Sequence, residues 1–204
     1  LKAVKNFLGE IMKILLNILV ALFAANTLWS QEGPPEGGFT TFHVKAEDPY
    51  EYIDYLKENP QFLAAGGGDV SGYCMTVSGH DYPGEMFIWN GFASLEDMMA
   101  NATTYNPYAA PTALKNMRKI KYTSFWKTLT PFELTPGFER VTRVSIKPEN
   151  VVAFLQSTEV LEAAMKAAGE DFQLAVFAPI GGGPEGNTLM AVSYTHLRAH
   201  ETCT

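Results

Sequence analysis

Two stretches about a hundred residues apart carry nearly the same text, and this limits the possible folds more than anything else in the chain. Gly38–Val44 reads Gly-Phe-Thr-Thr-Phe-His-Val, and Gly137–Val144 reads Gly-Phe-Glu-Arg-Val-Thr-Arg-Val. Each opens on Gly-Phe, alternates as a strand does, runs into an acidic segment with a proline, and is followed by helical periodicity. A chain that repeats a strand–helix text builds the same supersecondary unit twice.

In the first copy, Phe39–Lys45 reads as a strand with Phe39, Thr41 and His43 on one face and Thr40, Phe42 and Val44 on the other. Asp48 is placed to cap a helix that has Pro49 at its first position. That helix is interrupted at Asn59-Pro60 and ends at Gly66-Gly67-Gly68. Tyr73–Ser78 and Glu85–Phe92 then form a hairpin around Gly79–Gly84. Ser94 caps a second helical region, Leu95–Lys119, broken near Asn106-Pro107 and Pro111, and Tyr122–Leu129 is a fourth strand. The order is β-α-β-β-α-β, the ferredoxin-like unit. The second copy repeats it: Arg140–Ile146 as strand, Asn150–Ala168 as helix, Gln173–Phe177 as strand, Gly181–Gly186 as loop and Thr188–Val192 as strand. There the recognisable text stops, before a second helix and fourth strand, so the second repeat is expected to be truncated.

Most strands lack the polar residue at every second position that a half-wetted antiparallel sheet requires. Both faces should therefore be buried, one by helices and the other by a second sheet. Two ferredoxin-like repeats with double-sided sheets resemble the dimeric α/β-barrel superfamily. The helix text Glu159–Gly169 is similar to a wording common in its antibiotic-biosynthesis-monooxygenase-like members. The resemblance covers about Phe39–Val192. It implies an α+β fold in which the two repeats face each other as a barrel within one chain. On function it implies little, because the superfamily includes cofactor-free oxygenases, haem enzymes, isomerases and proteins without known activity.

The ends read as separate from this body. Met12-Lys13 followed by the apolar run Ile14–Ala25 has the form of a secretory signal, short for a bilayer span. Residues 1–30 are assigned to it and to upstream sequence, with cleavage after Thr27 or Ser30; an uncleaved anchor is the alternative. Export to the periplasm or beyond follows, with no membrane attachment once the signal is removed. Residues 31–38 are a linker, 39–136 the first repeat, 137–192 the second, and 193–204 a non-native tail. Ser193–Thr202 resembles a sequencing-adaptor read-through, and from Tyr194 on the chain is expected to pack on nothing. For this reason no zinc site is read into His196, His200 and Glu201, whose order is not His-Glu-x-x-His.

Charge excludes one class of partner. From Gln31 to Val192 there are 11 Lys and Arg against 20 Asp and Glu, a net of −9, the opposite of a nucleic-acid-binding surface. The glycine runs are turns: Gly181–Gly186 lacks the Gly-Lys-Ser/Thr ending and opens no helix. Cys74 reads as a small residue in a strand rather than a reactive thiol.

What remains for chemistry is a short set. His43, mid-strand among apolar neighbours, is the candidate base or iron ligand. Desolvation in a cavity would favour its neutral form. Trp89, Asn90 and Trp126, with Tyr73, would line an apolar pocket in which the Asn90 amide orients a ligand. Ordinary core packing is the competing account of all five. Two functions follow: a small-molecule-binding protein, oxygenase-like, with an apolar ligand, or a non-catalytic exported binding module. No cofactor and no oligomeric state can be read from the residues.

Overall fold

The computed structural model describes Gly37–Thr195, apart from Thr135, Pro136, Glu185 and Asn187. Its seven strands are β1 Gly38–Ala46, β2 Val70–Met75, β3 Glu85–Phe92, β4 Arg118–Thr128, β5 Phe138–Val144, β6 Phe172–Gly182 and β7 Leu189–Thr195. They form one antiparallel sheet in the order β2-β3-β1-β4-β6-β7-β5. The sheet curls until its two edge strands approach, with Cys74 Sγ on β2 3.7 Å from Glu139 Oε2 on β5. The two sheets expected to face each other are thus one sheet, joined where β4 pairs with β6.

The join is an irregular seam. The register shifts between Phe125 and Trp126, and β6 ends there on Gly182 at φ +70°. A Cβ at Gly182 would collide with the carbonyl oxygen of Thr123, so only glycine lets the two backbones come this close.

Among the described residues five α-helices accompany the sheet: α1 Pro49–Glu58, α2 Gln61–Ala64, α3 Leu95–Thr104, α4 Thr112–Met117 and α5 Val151–Ala167. The caps sit where the sequence puts them. Asp48 Oδ1 accepts from the backbone N–H groups of Tyr50 and Glu51 at 2.9 and 3.1 Å. Ser94 Oγ accepts from Asp97 N at 3.0 Å. The broken helical region before β4 is α3, a 3₁₀ turn at Pro107–Ala109, and α4, because Pro107 and Pro111 lack the N–H a continuous helix needs. No helix among the described residues is long and apolar enough to cross a membrane.

Strand alternation divides the interior in two. Phe42, Val44 and Ala46 of β1, Met86 and Ile88 of β3 and Tyr73 of β2 pack against Tyr52 and Leu56 of α1 and Leu114 of α4. On the concave side, Trp126, Ala175, Phe177, Met190, Val192 and Tyr194 form a second cluster, extended by Phe39 and Phe132. β1 is therefore buried on both faces, as its lack of polar alternation requires.

One expectation about the ends is corrected. Tyr194 does not pack on nothing: β7 runs to Thr195 between β5 and β6, with Tyr194 opposite Glu139 and Gln173. Its ring is buried and stacks on Phe132. Adjacent strands offer two ladders of backbone partners, and an aromatic at the right parity completes the inner face. The expected signal and most of the linker, and the tail beyond Thr195, lie outside the described residues.

Candidate functional site

The concave side of the sheet lines a partly open cavity of about 610 Å³. Every strand contributes to its boundary, and the walls are mainly apolar. Phe39 from β1, Phe87, Trp89 and Phe92 from β3, Phe132 from the segment before β5, Phe177 from β6 and Tyr194 from β7 supply seven aromatic rings. Phe39 meets Phe177 edge-on at 4.6 Å, and Phe177 meets Phe132 edge-on at 5.0 Å, so part of the wall is a packed aromatic chain.

The polar part of the lining begins on β1. Thr41 and His43 stand two residues apart on one strand, hence on the same face, and both line the cavity. His43 is only 1% exposed. Its ring lies on Tyr122 of β4 at 3.9 Å and meets Phe87 of β3 edge-on at 4.5 Å. The cross-strand register dictates this, because His43 pairs with both Tyr122 and Phe87. His43 Nε2 lies 3.2 Å from Thr41 Oγ1. The same hydroxyl oxygen accepts a hydrogen bond from Trp126 Nε1 at 3.0 Å. Trp126, Thr41 and His43 thus form a three-membered polar chain inside an aromatic shell.

Trp126 itself is fully buried and sits outside the cavity lining, stacked behind Phe39 with the Arg143 guanidinium 5.4 Å from its ring. It meets His43 through Thr41. Trp89 lines the cavity.

Tyr73 and Asn90, expected beside Trp89, face the other way. On β3 the inward residues are Phe87 and Trp89, so Met86, Ile88 and Asn90 point toward the helices. Tyr73 is paired with Ile88 and joins the helix-side core. Asn90 Oδ1 accepts from Ser71 Oγ at 2.8 Å, and its side chain presses on Gly66, where any Cβ would collide with it. The Asn90 amide is therefore tied to β2 and packs closely against the loop after α2. Alternation alone separates Trp89 from Asn90, so adjacency in sequence was the wrong guide.

The sequence reading missed the wall supplied by β5 and β7. Glu139, Val141 and Arg143 alternate inward on β5, opposite Tyr194, Val192 and Met190 on β7. Burial pushes the Tyr194 phenol well above the usual range, and the nearby Glu139 carboxylate adds to the shift. At the start of β3, Glu85 is buried and its Oε2 accepts from Asp81 N at 2.9 Å. Burial raises its carboxyl above the ordinary range and the Asp81 charge adds to this, while the Asp81 N–H bond and the charges of His80 and Arg143 oppose it. The period-two text of 139–143 was the available signal for this wall. Which face of that edge strand turns inward was not.

No cluster of three or more His, Cys, Asp or Glu suited to a metal ion occurs among the described residues. A haem held by His43 does not fit either. The imidazole is covered by Tyr122 and Phe87, and Nε2 is occupied by Thr41. An iron ligand needs that nitrogen directed into open space.

A curled antiparallel sheet with helices on one side is the architecture of a dimeric α/β-barrel fold. Solved structures bear this out at the level of fold. A protein described as anthrone oxidase-like aligns with a TM-score of 0.52 at 13% identity, over 80% of this chain and 74% of that one. A single-residue mutant of chlorite dismutase from Candidatus Nitrospira defluvii aligns with a TM-score of 0.50 at 10% identity, over 79% and 77%. Both belong to the dimeric α/β-barrel superfamily. No family model matches the sequence, and no curated protein matches it.

Proposed function

We propose that the protein binds one small, largely apolar, ring-bearing molecule inside the sheet and performs oxygenase-like chemistry on it without a bound metal. The observation that carries this is the cavity itself: about 610 Å³, seven aromatic rings, and the buried Thr41–His43 pair in its wall. A pocket of this kind binds by apolar burial and orients by its few polar groups. In this reading His43 is the proton acceptor, Trp89 is a wall of the pocket, and Trp126 acts only through Thr41. The fold neighbour described as anthrone oxidase-like is compatible with oxidation of an aromatic molecule here. The βαββ order of both halves, with β3 between β1 and β2 and β7 between β5 and β6, supports descent from a duplicated unit. The signal-like run Ile14–Ala25 supports export.

Calorimetric titration of the full chain with planar ring compounds tests the binding. We expect one site, abolished by Val192→Trp, which fills the cavity, with the melting temperature checked for each protein. Oxygen uptake in the presence of a bound phenol, with no cofactor added, tests the chemistry. Binding without uptake would favour the second reading, a non-catalytic binding module. That reading has its own support in the His43 ring, packed between Tyr122 and Phe87 as a core residue would be.

A further inference from the structure

The described lining of the cavity contains three acidic or basic side chains besides His43, namely Asp69, Glu139 and Arg143, and their placement is unequal. Arg143 is exposed, and its guanidinium stands 5.4 Å from the ring of Trp126, outside the lining. Asp69 is also exposed, and its Oδ2 accepts from Ala93 N at 2.8 Å. Glu139 is half-buried in the wall. Water and salt screen the two exposed charges more than this one.

Rings surround the Glu139 carboxylate. Strand pairing sets Tyr194 opposite it on β7, and Phe132 stacks on Tyr194 at 6.3 Å. Across the gap between the edge strands its Oε2 is 3.7 Å from Cys74 Sγ, and Cys74 is paired with Phe87 on β3. Burial keeps the Tyr194 phenol neutral, and Glu139 acts on it by charge alone. Arg143 lies four positions along β5, about 13 Å away by strand rise. From this we infer that Glu139 is the counter-ion of the cavity's ligand, a ring compound that carries an ammonium group. The inference rests on the cavity-binding reading and names the ligand class for it. Its polarity is set by the groups themselves, because a carboxylate accepts and an ammonium only donates. A cation placed there also meets the negative faces of the neighbouring rings. An anion would meet the same faces and the carboxylate with the wrong sign. The acid excess of the chain, 20 Asp and Glu against 11 Lys and Arg over Gln31–Val192, draws cations toward the mouth, where Asp69 repeats the sign.

The test uses the full chain with tryptamine, tryptophol and indole-3-propionate. These share a ring and a two-carbon arm and end in a cation, a neutral group and an anion. Wild type should bind tryptamine about tenfold more tightly than tryptophol, the lower end for a hydrogen bond to a charged group. Indole-3-propionate should bind more weakly than either. Glu139→Gln keeps the shape and removes the charge, and should bring tryptamine and tryptophol within about twofold of each other. Glu139→Asp keeps the charge and should retain most of the gap. Glu170→Gln removes one charge from the exposed surface and should leave the gap as in wild type, which separates the local carboxylate from the net charge. The melting temperature of each variant is checked first. A gap that survives Glu139→Gln, or one that Glu170→Gln abolishes equally, overturns the inference. So does tighter binding of indole-3-propionate than of tryptamine. Equal binding of all three by wild type overturns it alone and leaves the cavity reading standing. Binding of none overturns both.

Discussion

The contact between Trp126 and Thr41 should be measurable as a coupling energy, and its size can be worked from the geometry. Trp126 is fully buried and its N–H has Thr41 Oγ1 at 3.0 Å as acceptor. Thr41→Val keeps the shape of the side chain but strands that N–H and removes the hydroxyl beside His43 Nε2. A buried unsatisfied donor costs about 1–3 kcal/mol. Trp126→Phe removes the donor instead and leaves space where the second ring was. Filling losses of this kind run to about 2–3 kcal/mol, below the roughly 3–5 kcal/mol typical of truncation to alanine. In the double variant the packing loss remains, but no indole N–H is left to satisfy. The double should therefore be less destabilised than the sum of the singles by about 1–2 kcal/mol, well outside the ~0.5 kcal/mol expected of independent sites. Urea unfolding followed by far-ultraviolet circular dichroism measures all four proteins. Additive free energies would refute the reasoning, since they would mean that the indole N–H and the hydroxyl do not depend on each other in the folded state.

Three other outcomes follow from particular residues. Glu85 has its carboxyl raised by burial, so the folded state holds its proton at pH values where the unfolded state has lost it. Stability should fall as pH rises from the ordinary glutamate range through the raised one; Glu85→Gln, which keeps an acceptor for Asp81 N, should flatten that fall in thermal melts, and an unchanged pH profile would count against the buried carboxyl. Titration with haem should give no shifted Soret band, because Tyr122, Phe87 and Thr41 enclose the His43 ring; a shift lost in His43→Ala would show that the enclosure opens. Gly182→Ala should cost about 1–3 kcal/mol, the range for an alanine forced to positive φ, since its Cβ would also meet the Thr123 carbonyl; a neutral effect on the melting temperature would place the β4–β6 seam elsewhere.

Much of the local structure was legible in the sequence because it rests on short-range rules. Asp48 and Ser94 cap helices through their own side chains, and Pro107 and Pro111 interrupt one by lacking an N–H. Glu85–Phe92 alternates as a strand and is one, with the residues as expected. The same alternation placed Phe39, Thr41 and His43 on a common face before it was known what that face looked at. The error at Asn90 came from setting the rule aside, since Trp89 and Asn90 are neighbours in the chain and therefore opposite in the sheet.

By itself, then, the sequence determined the order of elements, the parity of each strand and the burial of both faces of β1, though not the exposure of β5, because these depend on residue type and on neighbours a few positions away. Only the tertiary structure decided that the two expected sheets are one, that β5 and β7 close the cavity with Glu139, Arg143 and Tyr194, and that Tyr194 belongs to the interior. It also decided that Trp126 reaches His43 through Thr41, across 85 residues of chain from donor to acceptor. These depend on which strand pairs with which and in what register. That choice is made by the total burial of both faces, a sum over the whole chain that no local stretch contains.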